Sequence, residues 1–166
     1  MMNDSISARI DTAAALIAKG GTIEDFMTVE MAYSPPFSAA IDSINAAAYV
    51  ADNLCAGLLR KVNMDKFFAW IDDFSTESDW MALDIRHPQE AIPFVEKFGS
   101  DRWIAIPYNE IRGRYSELPD NKTLIILCDA GTRSYEVQVF LDHVGIINSL
   151  VLSGGFNVIR RIGVDW

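Results

Sequence analysis

The sequence predicts an α/β fold with a mainly parallel sheet, preceded by a helical extension. Three observations carry this. From about residue 62 short apolar runs alternate with amphipathic stretches of helical length, the signature of strands linked by crossover helices. The first 60 residues hold helical periodicity and no strand pattern. The chain is 166 residues long, enough for one full domain and a smaller piece beside it.

Each element follows from local chemistry. Asp4 or Ser5 can cap a first helix whose Ile6, Ile10, Ala13, Ala14 and Ile17 keep helical spacing, and Gly20-Gly21 ends it. Thr22 and Asp25 form a capping pair before a short second turn. The Pro35-Pro36 pair cannot be helical, because neither proline offers an N–H and the second pushes the first towards an extended backbone. A longer helix is expected from Ser38 to Arg60, with a stripe of Ile41, Ile44, Ala48, Ala51, Cys55 and Leu58 that places Cys55 in apolar packing. So few helices make too small a core alone, so this segment must pack on something else. Lys61–Asp65 reads as a linker. The expected strands are Phe67–Trp70, Trp80–Asp84, Trp103–Ile106, Thr123–Cys128 and Ser149–Leu152; the expected helices lie near Pro88–Phe98, Asn109–Tyr115 and Ser134–His143. Trp70, Trp80, Trp103 and Phe67-Phe68 are assigned to the core, and His87 and His143 to helix ends or the surface.

Composition excludes several classes. Fourteen basic and twenty-three acidic residues give a net charge of −9, which argues against a nucleic-acid or anionic-membrane binder. No apolar run approaches the ~18 residues of a membrane span, and the first residues lack the apolar core of a secretory signal. The two cysteines, Cys55 and Cys128, are too few for a disulfide scaffold or a zinc site, so a cytoplasmic protein with reduced thiols is expected.

The chemistry concentrates at Thr123-Leu-Ile-Ile-Leu-Cys128-Asp-Ala-Gly-Thr-Arg133-Ser134. A buried strand runs into a cysteine, a glycine permits a sharp turn, and Ser134 is suited to cap the next helix. Converging loop amides and a helix N-terminus favour a thiolate, and such settings lower a cysteine pKa from ~8.5 to about 3.5–7.5. Residues 129–134 (Asp129, Ala130, Gly131, Thr132, Arg133, Ser134) would form the cradle around the Cys128 nucleophile. Asp84 and Arg86, at a neighbouring strand end, are either an ordinary ion pair or a support for the loop.

The Cys128, Gly131, Arg133 and Ser134 pattern resembles the C-x-x-G-x-R-S loop of the rhodanese-like superfamily. Leu83-Asp84-Ile85-Arg86, with Pro88 and Glu90 after it, is similar to that family's L-D-V-R strand end. Ile106-Pro107, Ile111 and Leu118-Pro119 look like its I-P…L…L-P stretch, and Leu152-Ser-Gly154-Gly155-Phe156 like its L-x-G-G motif. The likeness covers residues 63–166. It implies that Cys128 accepts a sulfane sulfur from a donor and passes it to a thiol acceptor, with Arg133 holding an anionic donor or steadying the loop. Phosphatases use a related cradle one residue longer, C-x5-R against C-x4-R here, so a terminal sulfur suits this loop better than phosphate. Two departures bear on the donor. Asp129 puts a negative charge beside the thiolate, and Asp101-Arg-Trp-Ile-Ala-Ile-Pro107 replaces the family's G-H-I-P-G-A. Poor use of thiosulfate is expected, with polysulfide or a low-molecular-weight persulfide preferred.

Residues 1–60 carry a second likeness. Ala32-Tyr33-Ser-Pro35-Pro36-Phe37-Ser38, followed by a helix, resembles the last stretch of the dimerisation domain of pyridine nucleotide–disulfide oxidoreductases, in particular the coenzyme A-disulfide reductase and NADH oxidase branch. It implies a homodimer through the N-terminal helices, with Tyr33, Pro35 and Pro36 at the interface, and the tail of a coenzyme A-disulfide reductase/rhodanese fusion. FAD, NADH and coenzyme A are implied only for such a full-length reductase; this chain alone should bind no cofactor and no metal. The alternative is a catalytically weak rhodanese-like module that only binds or dimerises.

Overall fold

The computed structural model describes residues 3–32 and 39–163, and the side chains from residue 7 onward. Tyr33, Pro35 and Pro36, the expected interface residues, lie outside the described residues. The chain divides into two compact units, Met1–Leu58 and Leu59–Trp166.

The first unit is helical. Helix α1 spans Asn3–Ala18, α2 Ile23–Thr28 and α3 Ser43–Cys55. The expected capping pair is present as a capping box: the Asp25 N–H donates to Thr22 Oγ1 at 3.4 Å and the Thr22 N–H to Asp25 Oδ2 at 2.7 Å. The third helix is shorter than Ser38–Arg60 because Asp42, not Ser38, caps it. Asp42 Oδ1 accepts from the Ile44 N–H at 3.1 Å. Arg9 clamps the same carboxylate, Nη2 to Oδ2 at 2.7 Å, and holds its pKa below the usual aspartate range, its hydrogen bond leading and the Ile44 N–H adding. At the other end Gly57 takes φ +71°. Asn45 Nδ2 donates to the carbonyls of Phe26 at 3.0 Å and Val29 at 2.9 Å, tying α3 to the end of α2.

Only part of the expected apolar stripe is covered. Ile44 and Ala48 are this unit's buried apolar side chains among the described residues, whereas Ile41 and Leu58 fall outside the helix and are exposed. Cys55, expected in apolar packing, is instead exposed on the last turn. Ile10 and Ile17 on α1 are also exposed, so this unit has little core of its own.

The second unit is a five-stranded parallel sheet in the order β1-β5-β4-β2-β3. The strands are β1 Lys61–Val62, β2 Trp80–Asp84, β3 Trp103–Ala105, β4 Thr123–Leu127 and β5 Ser149–Leu152. The helices are α4 Met64–Asp72, α5 Pro88–Phe98, α6 Ile111–Arg114, α7 Thr132–His143 and α8 Gly155–Ile162, with a 3₁₀ turn at Tyr115–Glu117.

Two expectations are corrected. Lys61–Asp65 is no linker, because Lys61 and Val62 pair with Val151 and Leu152 as an edge strand. Phe67–Trp70 is helix, not strand. A short apolar run fits either, and here Phe67, Trp70 and Ile71 are buried on one face of α4 while Asp65 and Lys66 point away.

Alternation along each strand gives two cores, as both faces of the sheet are covered. Trp80, Ala82, Ile125 and Leu127 join Phe67, Trp70, Trp103 and Phe156 in an aromatic layer. Met81, Leu83, Leu124 and Ile126 join Ile106, Ile111, Val137 and Leu141 on the opposite face. Four of the five assigned core aromatics are buried, Phe68 only partly. His87 caps α5, its Nδ1 accepting from the Gln89 N–H at 3.4 Å, and His143 is exposed in the last turn of α7.

Candidate functional site

Strand β4 is central in the sheet, and Cys128 follows its last residue, where open α/β sheets place their ligands. The chain turns through Asp129–Gly131 into α7. Gly131 takes φ +94°, and its N–H donates to Cys128 Sγ at 3.0 Å. That is the geometry of a backbone cradle for sulfur: an N–H aimed at the thiol from within the turn, next to the N-terminus of a twelve-residue helix. Cys128 is 4% exposed and lines a cavity of ≈ 270 Å³ with Asp129, Ala130, Thr132 and Arg133. Both cysteines are free thiols.

The loop is clamped from behind by the Gly154-Gly155 turn. The Phe156 N–H donates to the Cys128 carbonyl at 3.0 Å and the Asn157 N–H to the Asp129 carbonyl at 2.8 Å. Gly155 has φ +59°, and a Cβ there would sit 2.3 Å from the Cys128 carbonyl oxygen. Gly155 is therefore a condition for the loop's position.

Asp84 and Arg86 reach the loop only at one remove. The pair is buried and bidentate: Arg86 Nη2 donates to Asp84 Oδ2 at 2.6 Å and Nε to Oδ1 at 2.9 Å. Trp103 Nε1 donates to Asp84 Oδ2 at 3.3 Å. The Arg86 guanidinium lies 3.3 Å from the Phe156 ring centroid and 5.0 Å from that of Phe94. Phe156 in turn holds the Cys128 carbonyl. A chain of contacts thus runs from the end of strand β2 through Phe156 to the cysteine.

The two loop charges do not face each other. Asp129 pairs with Arg160 of α8, Nη1 to Oδ1 at 3.0 Å, and the same guanidinium reaches Glu90 of α5 at 2.7 Å. Arg133 lies over the Tyr108 ring, 5.5 Å from its centroid. The Tyr108 hydroxyl donates to Glu136, and that bond, with burial adding, holds the phenol above the usual tyrosine range. Ser134 is not the cap of α7: the helix begins at Thr132, with Gly131 at the cap position and no side-chain capping bond. Ser134 is wholly buried in the first turn, and its Oγ has no hydrogen-bond partner among the described residues.

Sequence reasoning missed the roles of Arg160, Glu90 and Tyr108. Their separations from the loop in sequence carry no periodic signal. In the first unit a separate cavity of ≈ 470 Å³ is lined by Met27, Met31, Ile41 and Tyr49, among others, and contains no cysteine.

The fold is thus a wholly parallel α/β sheet with a free cysteine at the end of its central strand, an N–H aimed at the sulfur and a glycine-backed turn. The chain belongs to the rhodanese-like domain family, whose model matches residues 60–161. The chain is similar to an NAD-dependent persulfide reductase from A. fulgidus, with 31% identity and a TM-score of 0.73 over 91% of this chain and 25% of that one. It is similar also to the reduced Bacillus anthracis CoADR-RHD, with 28% identity and a TM-score of 0.76 over 92% of this chain and 26% of that one. The chain thus spans about a quarter of the length of both. A single-domain sulfurtransferase from Saccharomyces cerevisiae shares the fold, at 19% identity and a TM-score of 0.50 over 63% of this chain and 91% of that one. No curated protein matches the sequence. Among the described residues no helix is long and apolar enough to cross a membrane.

Proposed function

We propose that this chain is a sulfur-transfer module in which Cys128 carries the sulfur as a persulfide, the donor being polysulfide or a low-molecular-weight persulfide. The observation that carries the reading is the Gly131 N–H 3.0 Å from Cys128 Sγ, at the mouth of a small cavity. The Cys128 thiolate attacks the outer sulfur of the donor R–S–SH. A new S–S bond forms from the thiolate electron pair, the donor's S–S bond breaks, and the donor thiolate RS⁻ leaves with that bond's electrons. The outer sulfur keeps its hydrogen, so the product is Cys128–S–SH and no external oxidant or reductant is consumed. A thiol acceptor takes the outer sulfur by the reverse chemistry, releasing the Cys128 thiolate.

Cys128→Ala is expected to abolish sulfide release from polysulfide in the presence of excess thiol, to the uncatalysed rate. Thiosulfate is expected to be a poor donor. A steady-state comparison in which thiosulfate gives the highest kcat/KM would overturn the donor assignment.

The module serves a coenzyme A-linked, NADH-dependent disulfide or persulfide reductase in this reading, with FAD, NADH and coenzyme A bound by other parts of that enzyme. Two observations support it. The matches to the persulfide reductase and CoADR-RHD cover 91% and 92% of the chain, more than the second unit alone contains. The first unit exposes Ile10, Ile17, Ile41 and Val50, apolar surface that a second copy would cover. The chain is therefore read as a cytoplasmic homodimer through its N-terminal helices, Tyr33, Pro35 and Pro36 included. Light scattering behind size exclusion is expected to give twice the 18.5 kDa chain mass, whereas a strict monomer at high concentration contradicts it. A dimer without sulfur transfer would favour the binding-module reading.

A further inference from the structure

We propose that Arg160 is a positioning residue for the Cys128 loop: it holds the Asp129 carboxylate towards α8 and α5, and so keeps the start of α7 open for sulfur. The inference rests on Cys128 as the sulfur carrier and names a residue outside the loop that keeps the cradle clear.

Asp129 is the one acidic residue between Cys128 and Ser134, and it lines the same cavity as the thiol. Its backbone is fixed, because its carbonyl accepts from the Asn157 N–H at 2.8 Å. Its carboxylate is held by Arg160 alone among the described residues. Arg160 is itself braced. Nη1 donates to Asp129 Oδ1 at 3.0 Å and to Asn157 Oδ1 at 3.4 Å, while Nη2 donates to Glu90 Oε1 at 2.7 Å. One guanidinium thus joins the loop, α8 and α5, and it fixes where the Asp129 side chain points.

The amides at the start of α7 compete for the same carboxylate. That helix begins at Thr132 with Gly131 at the cap position, and no side chain caps it. The uncapped N–H groups and the helix dipole both favour a negative charge. Asp129 stands two residues before the cap position in sequence, whereas Glu136, further along α7, already accepts from Tyr108. Released from Arg160, Asp129 needs only side-chain rotation to move its charge within the cavity that it shares with Cys128. A carboxylate at the start of α7 would compete with the sulfur that now accepts from the Gly131 N–H at 3.0 Å, and would repel both a thiolate and an anionic donor. The side chains of Arg160, Asp129 and Glu90 are 49%, 44% and 42% exposed, so substitutions among them act on the site more than on the fold.

The test alkylates the reduced full chain with iodoacetate, an anion, and with neutral iodoacetamide. The Cys128 peptide is read by mass, apart from that of Cys55. The ratio of the two rates reports the charge at the sulfur, because the thiolate fraction cancels. At low salt, Arg160→Gln is expected to lower the iodoacetate-to-iodoacetamide ratio roughly three- to tenfold. In an Asp129→Asn background the same substitution should change the ratio by less than about twofold, since a neutral amide brings no charge to the sulfur whichever way it turns. Persulfide formation on Cys128 from polysulfide, also an anion, should slow in Arg160→Gln and recover in the double variant. An equal drop of the ratio in both backgrounds would mean that Arg160 acts only as a distant charge, and would overturn the positioning role; so would no drop in either. A ratio that shifts as expected while no protein forms a persulfide would leave the tether standing and overturn the sulfur-carrier reading.

Discussion

Arg86→Ala is expected to cost about 3–5 kcal/mol of stability, the range for removing one partner of a buried ion pair. The side chains of Arg86 and Asp84 are 2% and 0% exposed, so the substitution strands a carboxylate with no access to water. It also removes the cation packed on Phe156 and Phe94. In a domain of this size the loss should lower the melting temperature by more than ~10 °C, read by circular dichroism or calorimetry. The diagnostic comparison is the double variant Asp84→Leu/Arg86→Met. It leaves no buried charge, so it should lose less stability than Arg86→Ala alone, although Trp103 Nε1 then lacks its acceptor. A double variant worse than the single would show that the pair contributes its own attraction rather than relieving a burial cost. Sulfur transfer should fall with either change, because Phe156 hangs on this pair and donates to the Cys128 carbonyl.

Gly155→Ala should remove function by a different route. The added methyl would lie 2.3 Å from the Cys128 carbonyl oxygen and 2.8 Å from the Asp129 carbonyl carbon and oxygen, which are backbone atoms that cannot rotate aside. The residue also sits at φ +59°, where a side chain adds strain. Strain and overpacking together are expected to cost roughly 2–5 kcal/mol. The larger effect is on the loop. Displacing Cys128 by about 1 Å from its cradle is expected to lower sulfur transfer on the order of a hundredfold. Gly57→Ala is the control for positive φ without contact, since a Cβ at Gly57 meets nothing within 4 Å. It should reduce stability without lowering transfer per folded molecule. Equal losses of transfer in the two variants would contradict the account of Gly155.

These two positions also show what could be read in the sequence. Strands β2, β4 and β5 were legible because a strand buried on both faces is a continuous apolar run ending at a polar residue. Cys128, Gly131 and the Gly154-Gly155 pair were legible because backbone-driven chemistry demands glycine at particular places. Strand β1 was not, since two residues pairing only with β5 carry no periodicity. Helix α4 was misread because Phe67–Trp70 is too short a window to separate a period of 3.6 from a buried strand. Ser134 was misassigned because a serine after a glycine turn suits a cap, yet the helix begins two residues earlier. The charge partners were the least legible part. The sequence sets Asp129 beside the thiolate, whereas tertiary packing brings Arg160, 31 residues on, to pair with its carboxylate. That cation is shared with Glu90, so Asp129 still leaves the loop's α8 side net negative.

The most direct test of the central claim is the mass of the Cys128 peptide after the reduced protein is exposed to polysulfide and the persulfide is trapped by alkylation. The account predicts a gain of one sulfur on Cys128, none on the exposed Cys55, and no gain in Cys128→Ala. An unchanged Cys128 peptide, or sulfur found on Cys55 alone, would contradict it.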